Sequence, residues 1–246
     1  MSRDDEAMAA LSAVVDPELD EPITDLGFVH TLVVSPAGNV KVNLRLPTSF
    51  CSPNFAYLMA SDAKDVLTEL DWTRRVVVEL DDHHDSDIIN AGLAGDAGYR
   101  GTFGHEAEDS LDDLRVTFKR KAHTAAMERC LTALLRSDPS RSEESMGSVR
   151  IGDLPAGAET EALLHRRAAL GLATAPEELV LVDEYGRPYD DVPMALRRAR
   201  STRISIDGNA HFCRGLLRTR YGDEPETTAM SSETFFPLST LMQGAH

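Results

Sequence analysis

Met8, Leu11, Val14 and Val15 recur at helical spacing and stop before Asp16-Pro17, so the chain opens on a short amphipathic helix. Val29 to Val34 is rich in β-branched residues and reads as a strand, and Ser35-Pro36-Ala37-Gly38-Asn39 carries turn chemistry. Val40, Val42, Leu44 and Leu46 then alternate with polar residues, which predicts a second strand and a hairpin. Beyond the loop around Cys51, helical spacing returns in Phe55, Leu58, Met59, Ala63, Val66, Leu67 and Leu70, and Arg75 to Leu80 predicts a third strand. Helix, strand, strand, helix, strand describes a small α+β sandwich: a three-stranded sheet with helices on one face.

The remainder is patterned less sharply. Gly92, Gly95, Gly98, Gly101 and Gly104 predict an irregular loop. Ser110 and Asp113 match a capping box at the head of a long helix that carries Leu111, Leu114, Phe118, Ala122 and Ala125 and ends near Arg136. Residues 137–148 read as a polar linker. A helix from about Glu159 to Leu170, a strand over Val180 to Val182, a turn at Glu184 to Pro188 and a basic helix near Met194 to Arg200 follow, before a terminal stretch of mixed polar and aromatic residues. The expected division is therefore 1–85 as the sandwich, followed by a mostly helical C-terminal extension: 86–148 as Gly-rich loop, long helix and linker, and 149–246 as a mixed α/β region, the candidate client-docking unit.

Composition narrows the function. A formal net charge of −16 over 246 residues repels phosphate backbones and anionic lipid, which argues against nucleic acid or membrane as the main partner. No apolar run approaches the ~20 residues that cross a bilayer. The N-terminus, MSRDDEAMAA, lacks a signal-peptide core, so the expected location is cytoplasmic. Cys51, Cys130 and Cys213 are scattered and form no CxxC pair, which fits a reducing compartment and leaves no all-cysteine zinc site. GxSxG, HExxH, P-loop and GxGxxG motifs are absent, so the chain is expected not to be an enzyme.

Cys51 is the leading chemical candidate. It follows the second strand and precedes Ser52-Pro53, where Ser52 suits a helix N-cap and Pro53 the first helical position. Free N–H groups and the helix dipole there favour a thiolate, the form that binds iron; an inert buried thiol is the alternative. Asp16-Pro17-Glu18 holds two carboxylates at the start of a loop, either near that thiol as hard metal ligands or as a solvated acidic turn. Asp81, Asp82, His83, His84 and Asp85 form a second ligand-rich run, although adjacent histidines on a strand point to opposite faces. His211 and Cys213 share a side only on a strand, and His123 and Cys130 lie two turns apart on one helix face. Arg197, Arg198, Arg200, Arg203, Arg214, Arg218 and Arg220 concentrate positive charge, as a docking surface or as helix faces paired with local acids.

Asp16-Pro17-Glu18, then Asp25-Leu26-Gly27-Phe28-Val29, then a hairpin ending in a Thr-containing loop with a cysteine, resemble the PaaD/SufT-like family of iron–sulfur and metal–sulfur cluster assembly over residues 5–82. That resemblance implies a functional Cys51 with Asp16, Glu18 and Thr48 as companions. The loop departs from the family pattern, since Pro47 replaces a threonine and Pro53 stands one residue later than usual. The long C-terminal extension is similar to versions that accompany oxygenase systems, which implies an iron-dependent oxygenase as client.

The resulting expectation is an assembly or maturation factor that holds iron or an iron–sulfur cluster transiently and passes it to a client apo-metalloprotein, with nothing tightly bound. A cluster normally takes four ligands, so one cysteine per chain calls for a homodimer or for the client's thiols. The alternatives are a metal-dependent enzyme built on His83, His84, Asp85 and His211, and a non-catalytic chaperone-like partner of an enzyme complex.

Overall fold

The structure, a computed structural model, describes residues 1–104 and 111–222. Ser110 of the expected capping box and the terminal mixed stretch lie outside them. The chain divides into two compact units; among the described residues the first comprises 1–16, 21–104 and 214–222, and the second 17–20 and 111–213.

The first unit is the anticipated sandwich. Its elements are α1 (Arg3–Leu11), the two-residue strands β1 (Val15–Asp16) and β2 (Glu21–Pro22), β3 (Val29–Val34), β4 (Asn39–Arg45), α2 (Pro53–Thr68) and β5 (Arg75–Asp81). β3 pairs antiparallel with β4, and β4 pairs parallel with β5 from Asn39 opposite Arg75 to Arg45 opposite Asp81. α2 is the crossover that a parallel pair requires. Val40, Val42, Leu44, Val78 and Leu80 turn inward and are buried, as are Ala56, Met59, Ala60, Ala63 and Leu67 of α2 and Ala7 and Leu11 of α1. The opposite sheet face is polar: Lys41 pairs with Glu79 at 2.9 Å, and the Asn43 amide donates to Asp81 at 2.9 Å. Apolar on one face and charged on the other, the sheet has one side on which to pack helices.

Several elements differ from the sequence pattern. α1 ends at Leu11, earlier than expected, because Ser2 and Asp5 cap its start reciprocally and Val15 leaves the helix to pair with Pro22. The glycine-rich stretch is helical, as α3 (Ser86–Ala94) and α4 (Gly98–Phe103). Ile89 and Leu93 are buried, and the Asn90 side chain bonds both the N–H and the C=O of Leu80, extending the edge of β5. Gly92 is needed there for close approach, since a Cβ would collide with the Thr102 side chain. Tyr57 of α2 and Tyr99 and Phe103 of α4 form a mutual aromatic cluster with centroids 5.3–5.8 Å apart.

The second unit is helical: α5 (Leu111–Ser137), α6 (Ala158–Ala169) and α7 (Val192–Tyr221), which from Arg214 onward belongs to the first unit. The expected linker is anchored by Met146, which is fully buried with Leu131, Val149, Leu163, Val180 and Leu196 in this unit's core. Val180 to Val182 forms no strand; isolated bridges join Val182 with Pro188 and, just before it, Leu179 with Arg150. α7 far exceeds the expected basic helix because Ala195, Ala199, Ile206 and Ala210 continue a buried stripe at helical spacing. Buried Arg167 donates to the carbonyls of Ala173 and Leu179 and so ties the segment after α6 to that helix.

Two buried polar groups on α5 set this unit's electrostatics. Glu128 has no exposed side-chain surface and accepts bonds from Thr132 at 2.7 Å, from Arg200 at 3.3 Å and from Arg203. Arg203 also pairs with Asp207, which pairs with Arg129. His123 is buried and its Nε2 has no hydrogen-bond partner among the described residues. Burial, helped by the Arg167 charge, pushes its pKa down to about 4.

Two outcomes follow from these groups. Glu128→Ala leaves two guanidinium groups without their shared acceptor and is expected to cost about 3 kcal/mol in urea unfolding. His123 is uncharged when folded at neutral pH, so the unfolded chain binds the proton first as pH falls. Stability is therefore complete above about pH 6.5 and declines from there to about 4, by up to about 3 kcal/mol. Unfolding curves between pH 7.5 and 4.5 check this; His123→Leu is expected to remove that share of the slope.

Candidate functional site

The parallel register brings the ends of β4 and β5 side by side, and the loop after β4 crosses in front of the segment after β5. Leu46 and Pro47 are buried and anchor the loop; Thr48 to Cys51 then rise toward solvent. The Thr48 hydroxyl accepts from the Phe50 N–H at 3.2 Å, a local turn that brings its oxygen to 3.5 Å from the Cys51 sulfur. Cys51 is half-buried and immediately precedes Ser52, the N-cap of α2, with Pro53 at the first helical position. Ser52 caps through its backbone, its C=O accepting from Phe55 and Ala56 at 3.0 Å, and its side chain makes no capping bond. The expected side-chain cap is thus absent, with Ser52 in an extended conformation (ψ 128°). Phe50 is 82% exposed, its ring 5.9 Å from that of His84.

The segment after β5 supports this loop from beneath. His83 is buried; its Nε2 lies 2.8 Å from the Cys51 carbonyl oxygen, and its Nδ1 accepts from the Asp85 N–H at 3.1 Å. With Nδ1 an acceptor, Nε2 carries the proton and donates to Cys51. Both ring nitrogens are engaged, so His83 holds the backbone at Cys51 and offers no lone pair to a metal. His84 turns to the other side, exposed, while its N–H donates to the Ser49 carbonyl at 2.9 Å.

The last turn of α7 completes the surroundings; the sequence marked Arg220 as part of an arginine-rich stretch and gave no sign that it meets the Cys51 loop. Arg220 donates to the Leu46 carbonyl at 3.3 Å, to the Ser49 hydroxyl at 2.7 Å and to the Asp82 carbonyl at 2.7 Å. Tyr221 donates to the Asp82 carboxylate at 3.3 Å and lies under the guanidinium groups of Arg45 and Arg220, 4.8 and 5.0 Å from its ring centre. Burial holds the Tyr221 hydroxyl above its ordinary pKa, so it remains a donor. Asp82 sits at φ 51°, a left-handed conformation uncommon outside glycine. Within the cluster of arginines, Arg200 and Arg203 serve Glu128, Arg214 pairs with Glu21, and Arg220 serves the Cys51 loop.

The remaining candidates fall in both units. Asp16 is buried in β1 of the first unit. Glu18 belongs to the second unit and accepts from the Asn209 amide at 3.2 Å, next to Asp20, which pairs with Arg166 at 2.6 Å. His211 and Cys213 lie on α7, where two residues of helix part their side chains. Cys130 is buried, its thiol pushed up to about 11 by desolvation and next by Glu159, which makes it an inert core residue. Among the described residues no three His, Cys, Asp or Glu side chains converge as a metal-holding group. Among the same residues no helix is long and apolar enough to cross a membrane.

The Asp25-Leu26-Gly27-Phe28 motif acts structurally. Leu26 and Phe28 are buried, the Phe28 carbonyl accepts from Arg45, and Gly27 adopts φ 77° against Leu217, where a Cβ would come within 3.3 Å of the leucine. It locks the start of β3 to the end of β4 and so fixes where the Cys51 loop begins.

Comparison with known proteins places this same segment. Residues 4–80 match the model of the family described as iron-sulfur cluster assembly protein. The chain is 36% identical over 90 residues to an iron-sulfur cluster carrier protein of Mycobacterium leprae, covering 36% of this chain and 23% of that one. It is 30% identical over 89 residues to an uncharacterized protein of Methanocaldococcus jannaschii, covering 36% of this chain and 92% of that one. The chain thus spans under a quarter of the length of the mycobacterial carrier. No solved structure matches it. By the segment that carries Cys51, the chain belongs to the iron–sulfur cluster assembly protein family.

Proposed function

We propose that this protein is a non-catalytic assembly factor that holds iron or an iron–sulfur cluster transiently at Cys51 and passes it to a client apo-metalloprotein. The observation that carries the reading is the half-exposed Cys51 thiol beside the Thr48 hydroxyl at the head of α2, inside the segment that matches the assembly family. A relative 36% identical over 90 residues is named as a carrier of such clusters.

The donor set fits a cargo better than a resident centre. One thiol with a neighbouring hydroxyl falls short of the four ligands a cluster normally takes, so the cargo is held between two chains or between Cys51 and the client's thiols. Incomplete ligation makes release easy, which delivery requires. The carboxylates of Asp16 and Glu18 are proposed as auxiliary ligands in the loaded state. Residues 149–246 are proposed as the client-recognition region, with an iron-dependent oxygenase as the client. The metal-enzyme alternative has less support, because both ring nitrogens of His83 are already hydrogen-bonded.

Anaerobic incubation with ferrous iron and sulfide, followed by metal and sulfide assay and a visible spectrum, tests the reading. The native protein is expected to gain iron, sulfide and charge-transfer absorption. Cys51→Ala is expected to lose them to background with an unchanged melting temperature, and Cys213→Ser to retain them. Full loading of Cys51→Ala would defeat the proposal.

A further inference from the structure

We infer that Arg220 is the positioning residue of the Cys51 loop: the last turn of α7 clamps the ends of β4 and β5 together and so sets how the thiol is presented. The inference rests on the proposed role of Cys51 for its functional meaning, but its geometry stands apart from that role.

One guanidinium reaches three acceptors on two separate stretches of chain. Its bonds go to the Leu46 carbonyl where β4 ends, to the Ser49 hydroxyl two residues before Cys51, and to the Asp82 carbonyl just beyond β5. The planar fork of arginine satisfies these acceptors together from one rigid group, whereas a lysine ammonium is a single point on a flexible stem. The neighbouring contacts reinforce the clamp. Tyr221 donates to the Asp82 carboxylate and stacks beneath Arg45 and Arg220, and Leu217 one turn earlier rests on Gly27.

Backbone strain is an independent pointer. Asp82, at φ 51°, is the residue whose carbonyl Arg220 holds and whose carboxylate Tyr221 holds. A strained residue persists where its surroundings over-determine it. The strain at Asp82 turns the chain directly into His83, whose ring fixes the Cys51 carbonyl. Ser49 is held twice, through its hydroxyl by Arg220 and through its carbonyl by the His84 N–H. Loop residues on both sides of the exposed Phe50 therefore depend on one side chain supplied from far along the sequence.

The test uses the full-length protein carrying Cys213→Ser, which leaves Cys51 as the thiol outside the core. Arg220, Arg220→Lys, Arg220→Gln and Ser49→Ala forms are compared by amide hydrogen exchange over residues 47–52, by the rate of Cys51 alkylation with iodoacetamide, and by thermal unfolding. Both Arg220 substitutions are expected to speed exchange in the loop at least about fivefold, the ratio that about 1 kcal/mol of lost local stabilisation produces. Alkylation is expected to change by a similar factor while the unfolding midpoint holds within about 2 °C. Ser49→Ala is expected to shift both rates in the same direction by less. Native-like rates in Arg220→Gln would overturn the inference, and so would full rescue by Arg220→Lys, which would leave charge and not the fork as the cause. Should Arg220→Gln unfold, Ser49→Ala decides, and unchanged loop exchange in that variant sinks the clamp. Iron and sulfide uptake measured alongside separates the two ideas: a Cys51→Ala form that still loads defeats the carrier reading alone, whereas an unclamped loop with native exchange defeats this one alone.

Discussion

The parallel pairing of β4 with β5, register-locked from Asn39 opposite Arg75 to Arg45 opposite Asp81, is the constraint from which the site follows. Parallel neighbours end on the same side of a sheet, and the chain must leave both ends there. One exit leads through Leu46 to the Cys51 loop and α2; the other leads through Asp82 to His83 and α3. The two exits are neighbours before any side chain is chosen, and the bond from His83 to the Cys51 carbonyl is the local consequence. Sheets of this kind commonly place their chemistry beyond the carboxyl ends of the strands, where backbone groups and helix N-termini converge.

That arrangement also explains the division of labour around the thiol. Among the described residues the sulfur meets a short-range polar neighbour, the Thr48 hydroxyl, and stays half-exposed. The backbone beneath it is held at several points: the Leu46 carbonyl, the carbonyl and hydroxyl of Ser49, and the Cys51 carbonyl. A firm backbone with a lightly engaged thiol suits a group that must accept a cargo and let it go. The other thiol described in detail, Cys130, sits at the opposite extreme, in a hydrophobic core with its proton held by burial.

The arginine-rich helix shows why counting charges gives a poor account of function. In sequence the arginines of α7 form a positive block in an acidic protein. In the structure Arg200 and Arg203 neutralise the buried Glu128, Arg214 meets Glu21, and Arg220 reads two carbonyls and a hydroxyl. Each of these four has a specific acceptor.

By itself the sequence determined the sandwich: alternation in Val40, Val42 and Leu44 and helical spacing in Phe55 to Leu70 are local periodicities, and each buries one face whichever way the chain turns next. It also marked Cys51, because Ser52-Pro53 is a helix start readable from neighbours alone. Tertiary structure decided what had no local signal. Gly92, Gly98 and Gly101 became helical once Ile89, Leu93, Tyr99 and Phe103 found apolar partners, overriding weak propensity. His83 became a support for the backbone where its position invited a metal ligand, since a ligand and a hydrogen-bond donor look alike until their partners are in place. Arg220 and Ser49 are 171 residues apart, and no periodicity links such positions; only the folded chain brings the guanidinium to the loop.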